Sequence, residues 1–161
     1  MDLLQITWPI IERLVQNVAE KIKKSNNNIT SIYGIPRGGM IPAVLLSHEL
    51  GIPLTTALTS GSLIVDDMVD SGETMKIALT EAKLSNSNKE VYTAVLFKRD
   101  RSSFIPDFHG RELSEPDWVV YPWENKMNAS QDKAGYDSKA HISKNSPKKF
   151  PRDLPFLQQK S

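Results

Sequence analysis

Apolar and polar positions alternate along this chain with two different periods, and the switches between them lay out an α/β order of elements. Trp8, Ile11, Leu14, Val15, Val18 and Ile22 recur at helical spacing, with Glu12, Gln16, Glu20 and Lys24 on the other side. Thr7 is placed to cap this helix, and Pro9 sits in its first turn, where a missing N–H is harmless. A polar turn over residues 23–28 closes it. Residues 29–35, Ile-Thr-Ser-Ile-Tyr-Gly-Ile, read as a first core strand. Pro36-Arg37-Gly38-Gly39 then turns into an apolar helix running to about Leu50, with Gly51 as its C-terminal cap. Residues 52–58 look like a second strand, yet only residues 59–62 separate them from the next apolar run. Four residues reach at most roughly 14 Å, whereas parallel neighbours need a crossover of about a dozen residues. Residues 53–58 are therefore expected to be short or displaced, and the helix ending at Leu50 to be the crossover.

Leu63, Ile64 and Val65 form an apolar triplet too short for a solvated helix and suited to a buried parallel strand. A helix continues from Met75 to Leu84 behind a Gly/Ser/Thr turn. Residues 85–88 read as a loop, and residues 90–97 as a strong strand, β-branched and aromatic, that ends in Lys98-Arg99-Asp100-Arg101. Residues 105–110 are turn-rich, and residues 117–124 close the pattern as a last short strand. The fold expected is α/β, a mainly parallel sheet flanked by helices and reduced around residues 52–62.

Composition narrows the setting. The chain has 161 residues, one domain's worth, and no uncharged apolar run long enough to span a bilayer. Its N-terminus shows no basic-then-apolar secretory pattern. Without cysteine there is no disulfide framework, thiolate chemistry or Cys-based zinc site. A soluble, cytoplasmic protein is expected. Net charge is +1, unevenly spread: from Asn125 onward eight Lys/Arg face three Asp/Glu, which leaves the body at 12 minus 16, or −4. This divides the chain into a domain over residues 1–124 and a basic, flexible tail over 125–161. The tail reads as a solvated extension; it could also touch a polyanion, and Phe150, Leu154, Phe156 and Leu157 could dock on a partner.

Candidate chemistry gathers after the apolar triplet. Asp66 and Asp67 fall near the carboxyl end of a strand, where open α/β sheets bind ligands. Asp70-Ser71-Gly72-Glu73-Thr74 offers backbone N–H groups and hydroxyls at a helix N-terminus, an anion site. Either half alone is ordinary, since an Asp pair is often a solvated turn and Ser-Gly-x-Thr a common helix start. Joined in this order they describe a sugar-phosphate site. Arg37 adds a planar fork of donors suited to phosphate, and Gly38 lets backbone approach a ligand. His48 reads as a helix residue without chemistry.

The thirteen residues 62–74, Ser-Leu-Ile-Val-Asp-Asp-Met-Val-Asp-Ser-Gly-Glu-Thr, closely resemble the phosphoribosyl-pyrophosphate (PRPP) signature of the type I phosphoribosyltransferases. Arg37-Gly38-Gly39 looks like the pyrophosphate loop of that family. Pro122-Trp123-Glu124, after Trp118-Val119-Val120, is similar to the end of its hypoxanthine and xanthine-guanine members. The resemblance covers roughly residues 5–124. It implies transfer of a 5-phosphoribosyl group from PRPP to a 6-oxopurine, with Mg²⁺, in a homo-oligomer. It also implies roles. Asp66 and Asp67 hold ribose hydroxyls, with Asp67 as the metal contact. Arg37 and Gly38 hold pyrophosphate, while Asp70, Ser71, Gly72, Glu73 and Thr74 cradle the 5′-phosphate. Asp70 also stands beside N7 of the base as the catalytic carboxylate. Lys98 meets the exocyclic oxygen, Trp118 stacks on the purine, and the backbone of Val119 reads its edge. Bland readings stand beside two of these: Lys98 as a solvated strand end, and Trp118 as edge-strand core.

One departure is plain. The family's long mobile loop, which folds over the site, and a basic residue within it have no counterpart near residues 52–62. This keeps open an alternative, a non-catalytic PRPP- or nucleotide-binding regulator whose tail meets nucleic acid or protein. A lid supplied by a second subunit is a third possibility.

Overall fold

The computed structural model describes residues 3–84, 90–114 and 118–124. The expected loop at 85–88, Asp117 of the expected last strand and the basic tail at 125–161 lie outside the described residues. Four strands form one sheet in the order β2 (Ser31–Gly34), β3 (Ser62–Val69), β4 (Val91–Arg99) and β5 (Phe108–Leu113), and every pairing is parallel. Helices α1 (Trp8–Lys24) and α2 (Met40–Leu50) cover one face, and α3 (Glu73–Leu84) covers the other. Alternation along β3 sets these layers: Leu63 and Val65 join the α1/α2 cluster, whereas Ile64 points to the α3 side with Met75 and Ala82. Largest among the fully buried side chains are Phe97, Ile11, Ile32 and Leu46; each contributes about 1.5–3 kcal/mol by leaving water.

The α1 stripe behaves as its spacing predicts, burying Ile11, Leu14, Val15, Val18, Ala19 and Ile22. Trp8 does not join it and rests half exposed against Trp123, ring centroids 5.9 Å apart. Thr7 is the N-cap by position only, with no side-chain cap bond. Gly51 ends α2 in the left-handed region (φ 64°), its N–H bonded to the Ser47 carbonyl. As expected, α2 is the crossover from β2 to β3. Residues 51–61 contribute only a single bridge, Ile32 to Leu54, on the outer edge of β2. Two hydrogen bonds secure it, Ile32 N–H to the Pro53 carbonyl (2.9 Å) and Thr55 N–H to the Ile32 carbonyl (2.8 Å).

Three features differ from the pattern. Residues 105–110 are not simply a turn, because β5 begins at Phe108 and runs to Leu113 beside β4. Only Phe108 and Leu113 of β5 are buried, five positions apart, so no period-2 signal marks it; pairing with β4 decides the conformation. A further strand, β1 (Leu3–Gln5), pairs in parallel with β6 (Trp118–Val120) in a separate two-stranded ribbon. Lastly, β3 continues to Val69, so Asp66 and Asp67 lie within the strand rather than after it. No helix among the described residues is long and apolar enough to cross a membrane.

Candidate active site

The carboxyl-terminal part of β3, the turn that follows it and the β6 strand enclose a cleft of about 330 Å³. Asp66 enters it from β3 as a buried carboxyl whose Oδ1 accepts the Asp67 N–H at 2.8 Å. Burial pushes this carboxyl well above the ordinary carboxylate range, and the neighbouring Asp67 charge pushes it further.

Asp67 is half-buried and faces the turn between β2 and α2. A Cβ at Gly38 would fall on the Asp67 carboxylate, so a side chain there would displace that carboxylate. The Ile35 N–H to the Val65 carbonyl (2.9 Å) ties β2 and β3 together just below. The Pro36–Arg37 peptide is cis. Arg37 itself is exposed and is not among the residues lining the cleft.

The turn over residues 70–74 lines the cleft and leads into α3. Gly72 adopts φ +90°, and a Cβ there would strike the Phe104 side chain. Ser71 Oγ accepts the Glu73 N–H at 3.3 Å, and Lys76 N–H reaches the Gly72 carbonyl at 3.0 Å, shaping the first turn of the helix. Asp70 stands at the mouth with half its side chain exposed. Arg101 donates to its Oδ1 from Nη2 (2.7 Å) and Nε (3.2 Å), and Arg99 Nε lies 3.8 Å from the same oxygen.

Trp118 and Val119 line the opposite wall together with Tyr121 and Glu124. This wall is a stack: Tyr121 lies flat on Trp123 at 4.6 Å and near Phe97 at 6.1 Å. Glu124 Oε2 accepts the Tyr121 N–H at 3.0 Å.

Lys98, like Arg37 and Gly38, is not among the residues lining the cleft. Its buried ammonium donates to the Arg99 carbonyl (3.2 Å) and lies 3.4 Å from Glu112 Oε2. Lys98 pairs in register with Glu112, two residues beyond Gly110, whose Cβ would meet Leu14 of α1. Arg99, the next residue, lines the cleft instead. Sequence reasoning missed Arg99, Arg101, Tyr121 and Glu124 as site residues. The first two stood in the basic run 98–101 at the end of β4, which was the available signal.

No cluster of three or more His, Cys, Asp or Glu able to hold a metal occurs among the described residues. The half-buried carboxylate of Asp67 fits Mg²⁺, an ion usually held by one or two carboxylates with substrate oxygens and water.

Comparison with known proteins gives consistent findings. The family model described as "Phosphoribosyl transferase domain" matches residues 58–130. A xanthine-guanine phosphoribosyltransferase of Gluconobacter oxydans (strain 621H) is 26% identical over 145 residues, covering 74% of this chain and 83% of its own length. A purine phosphoribosyltransferase from Pyrococcus horikoshii Ot3 is 32% identical with a TM-score of 0.67, covering 78% of this chain and 96% of that one. The xanthine-guanine-hypoxanthine phosphoribosyltransferase of Helicobacter pylori shares the fold at TM-score 0.67 and 16% identity, over 81% of this chain and 99% of that one.

Proposed function

The chain belongs to the type I phosphoribosyltransferases, close to the hypoxanthine and xanthine-guanine enzymes, and on that premise we propose that it transfers the 5-phosphoribosyl group of PRPP to a 6-oxopurine. The products are the nucleoside 5′-monophosphate and pyrophosphate. The observation that carries this reading is the convergence of Asp66, Asp67, the 70–74 turn and Trp118 on one cleft.

The bond from the base N9 to C1′ forms as the bond from C1′ to the pyrophosphate oxygen breaks, and the pyrophosphate leaves with the electron pair. The proton on N7 passes to the Asp70 carboxylate. Positive charge develops on the ribose ring, so the site works mainly by positioning and electrostatics. Asp66 and Asp67 hold the ribose hydroxyls. Ser71, Gly72, Glu73 and Thr74 receive the 5′-phosphate at the N-terminus of α3. Arg37 and Gly38 serve the pyrophosphate. Trp118 stacks on the purine and the Val119 backbone meets its edge. Lys98 is the residue matched to the exocyclic oxygen, and in this role its ammonium leaves Glu112 for the base. Asp67 would hold Mg²⁺, which supplies charge neutralisation at the pyrophosphate when bound. The same reading implies a homo-oligomer in the cytoplasm, which sedimentation and cell fractionation would check.

Pyrophosphate release from PRPP and Mg²⁺ with guanine, hypoxanthine or xanthine tests the assignment. Base-dependent release is expected, falling by about 10²- to 10⁴-fold in Asp70→Asn. The short connection of residues 51–61, with no loop to fold over the cleft, favours a second reading as a PRPP- or nucleotide-binding regulator. Tight binding of PRPP with no release for any base would establish that one instead.

A further inference from the structure

We propose that Arg101 is the positioning residue for Asp70, itself held in place by the tight fold of residues 101–104 against the turn after β3. The inference rests on the role given to Asp70 above.

Two segments 31 residues apart in sequence meet here, the turn after β3 and the connection after β4. They touch at several points. Arg101 reaches Asp70 with two donors of its guanidinium (2.7 and 3.2 Å). Ser103 Oγ donates to the Ser71 carbonyl at 3.4 Å, and Lys76 Nζ donates to Ser103 Oγ at 2.8 Å. Phe104 occupies the space that a side chain at residue 72 would need. Residues 101–104 are themselves folded tightly. Ser102 N–H bonds to the Arg99 carbonyl (3.1 Å), and Ser102 Oγ both accepts from Phe104 N–H (3.2 Å) and donates to the Phe104 carbonyl (3.1 Å). Arg101 is thus anchored on either side, at the end of β4 and at Phe104.

Burial argues against a purely structural role for the pair. The Arg101 side chain is 66% exposed and that of Asp70 54%, and ion pairs this open contribute little to stability. Geometry argues for a positioning role. Both Arg101 donors converge on Oδ1, which holds that oxygen in place and makes Oδ2 the oxygen that meets a proton on the ligand. A guanidinium does this as a rigid fork, and an ammonium does not. Arg99, 3.8 Å from Oδ1, is the second cation facing Asp70.

The test uses the full chain and four variants, Arg101→Ala, Arg101→Lys, Asp70→Asn and Asp70→Asn with Arg101→Ala, with pyrophosphate release measured across PRPP and base concentrations. Arg101→Ala should lower kcat by about 10- to 100-fold, the range expected when a catalytic group is misplaced by an ångström. KM for PRPP and the unfolding midpoint should be little changed. Arg101→Lys should recover part of the rate, and the double variant should be no slower than Asp70→Asn. A loss confined to KM for PRPP, or independent losses that multiply in the double variant, would overturn the proposal, because Arg101 would then act on the substrate or through the fold. A normal Arg101→Ala beside a slow Asp70→Asn overturns the Arg101 role alone. An unimpaired Asp70→Asn overturns the role of Asp70 and this inference with it.

Discussion

Lys98 and Arg99 are neighbours in β4, yet one pairs with Glu112 beside α1 and the other lines the cleft. Successive residues of a strand point to opposite faces, so neighbours one residue apart enter different surroundings. The basic run 98–101 was legible as a candidate site from sequence; which of its members lines the cleft was not. His109 shows a related effect. It is partly buried on β5, and burial, then the charges of Lys21 and Lys98, lower its pKa below the ordinary histidine value, against an opposing pull from Glu112. A histidine depressed in the folded state contributes stability that is present above its unfolded pKa and lost as pH falls through the folded one. Wild type should therefore lose unfolding midpoint relative to His109→Gln between about pH 6.5 and the lowered value, and match its own plateau above that. Melting curves from pH 5 to 8 check this.

At the scale of elements, the strand–turn–helix from Ser62 to Leu84 was nearly complete in the sequence. All its parts are contiguous: an apolar triplet, two carboxylates, a turn and a helix start. What the sequence did not convey is why residue 72 must be glycine here. Two constraints act, a φ of +90° and the Phe104 side chain in the space a Cβ would take. Gly72→Ala should destabilise the fold by about 1–3 kcal/mol and raise KM for PRPP. Adding Phe104→Ala should relieve only the overlap, so part of the loss persists; thermal unfolding and PRPP titration of both variants measure the split. Strand β5 is the opposite case, since its hydrogen bonds to β4 override a turn-rich run with no alternation.

Across the whole molecule, the hydrophobic core of the described residues lies between Ile6 and Tyr121. The polar, basic composition of residues 125–161 is that of a solvated tail, so a chain ending at residue 124 should unfold at the same temperature as the full chain; a midpoint lowered by more than a few degrees would show that residues 125–161 take part in the core. The sequence by itself determined the α/β order, the main helices, the crossover through α2 and the strand–turn–helix that begins at Ser62, because each is written in side chains adjacent along the chain or repeating within one element. Only the tertiary structure decided the β1–β6 ribbon, the β5 pairing, the Lys98–Glu112 pair and the Arg101–Asp70 pair. These join segments from fourteen to more than a hundred residues apart. Their hydrogen bonds and close packing depend on which surfaces the folded core brings together, and a local pattern of residues carries no record of that.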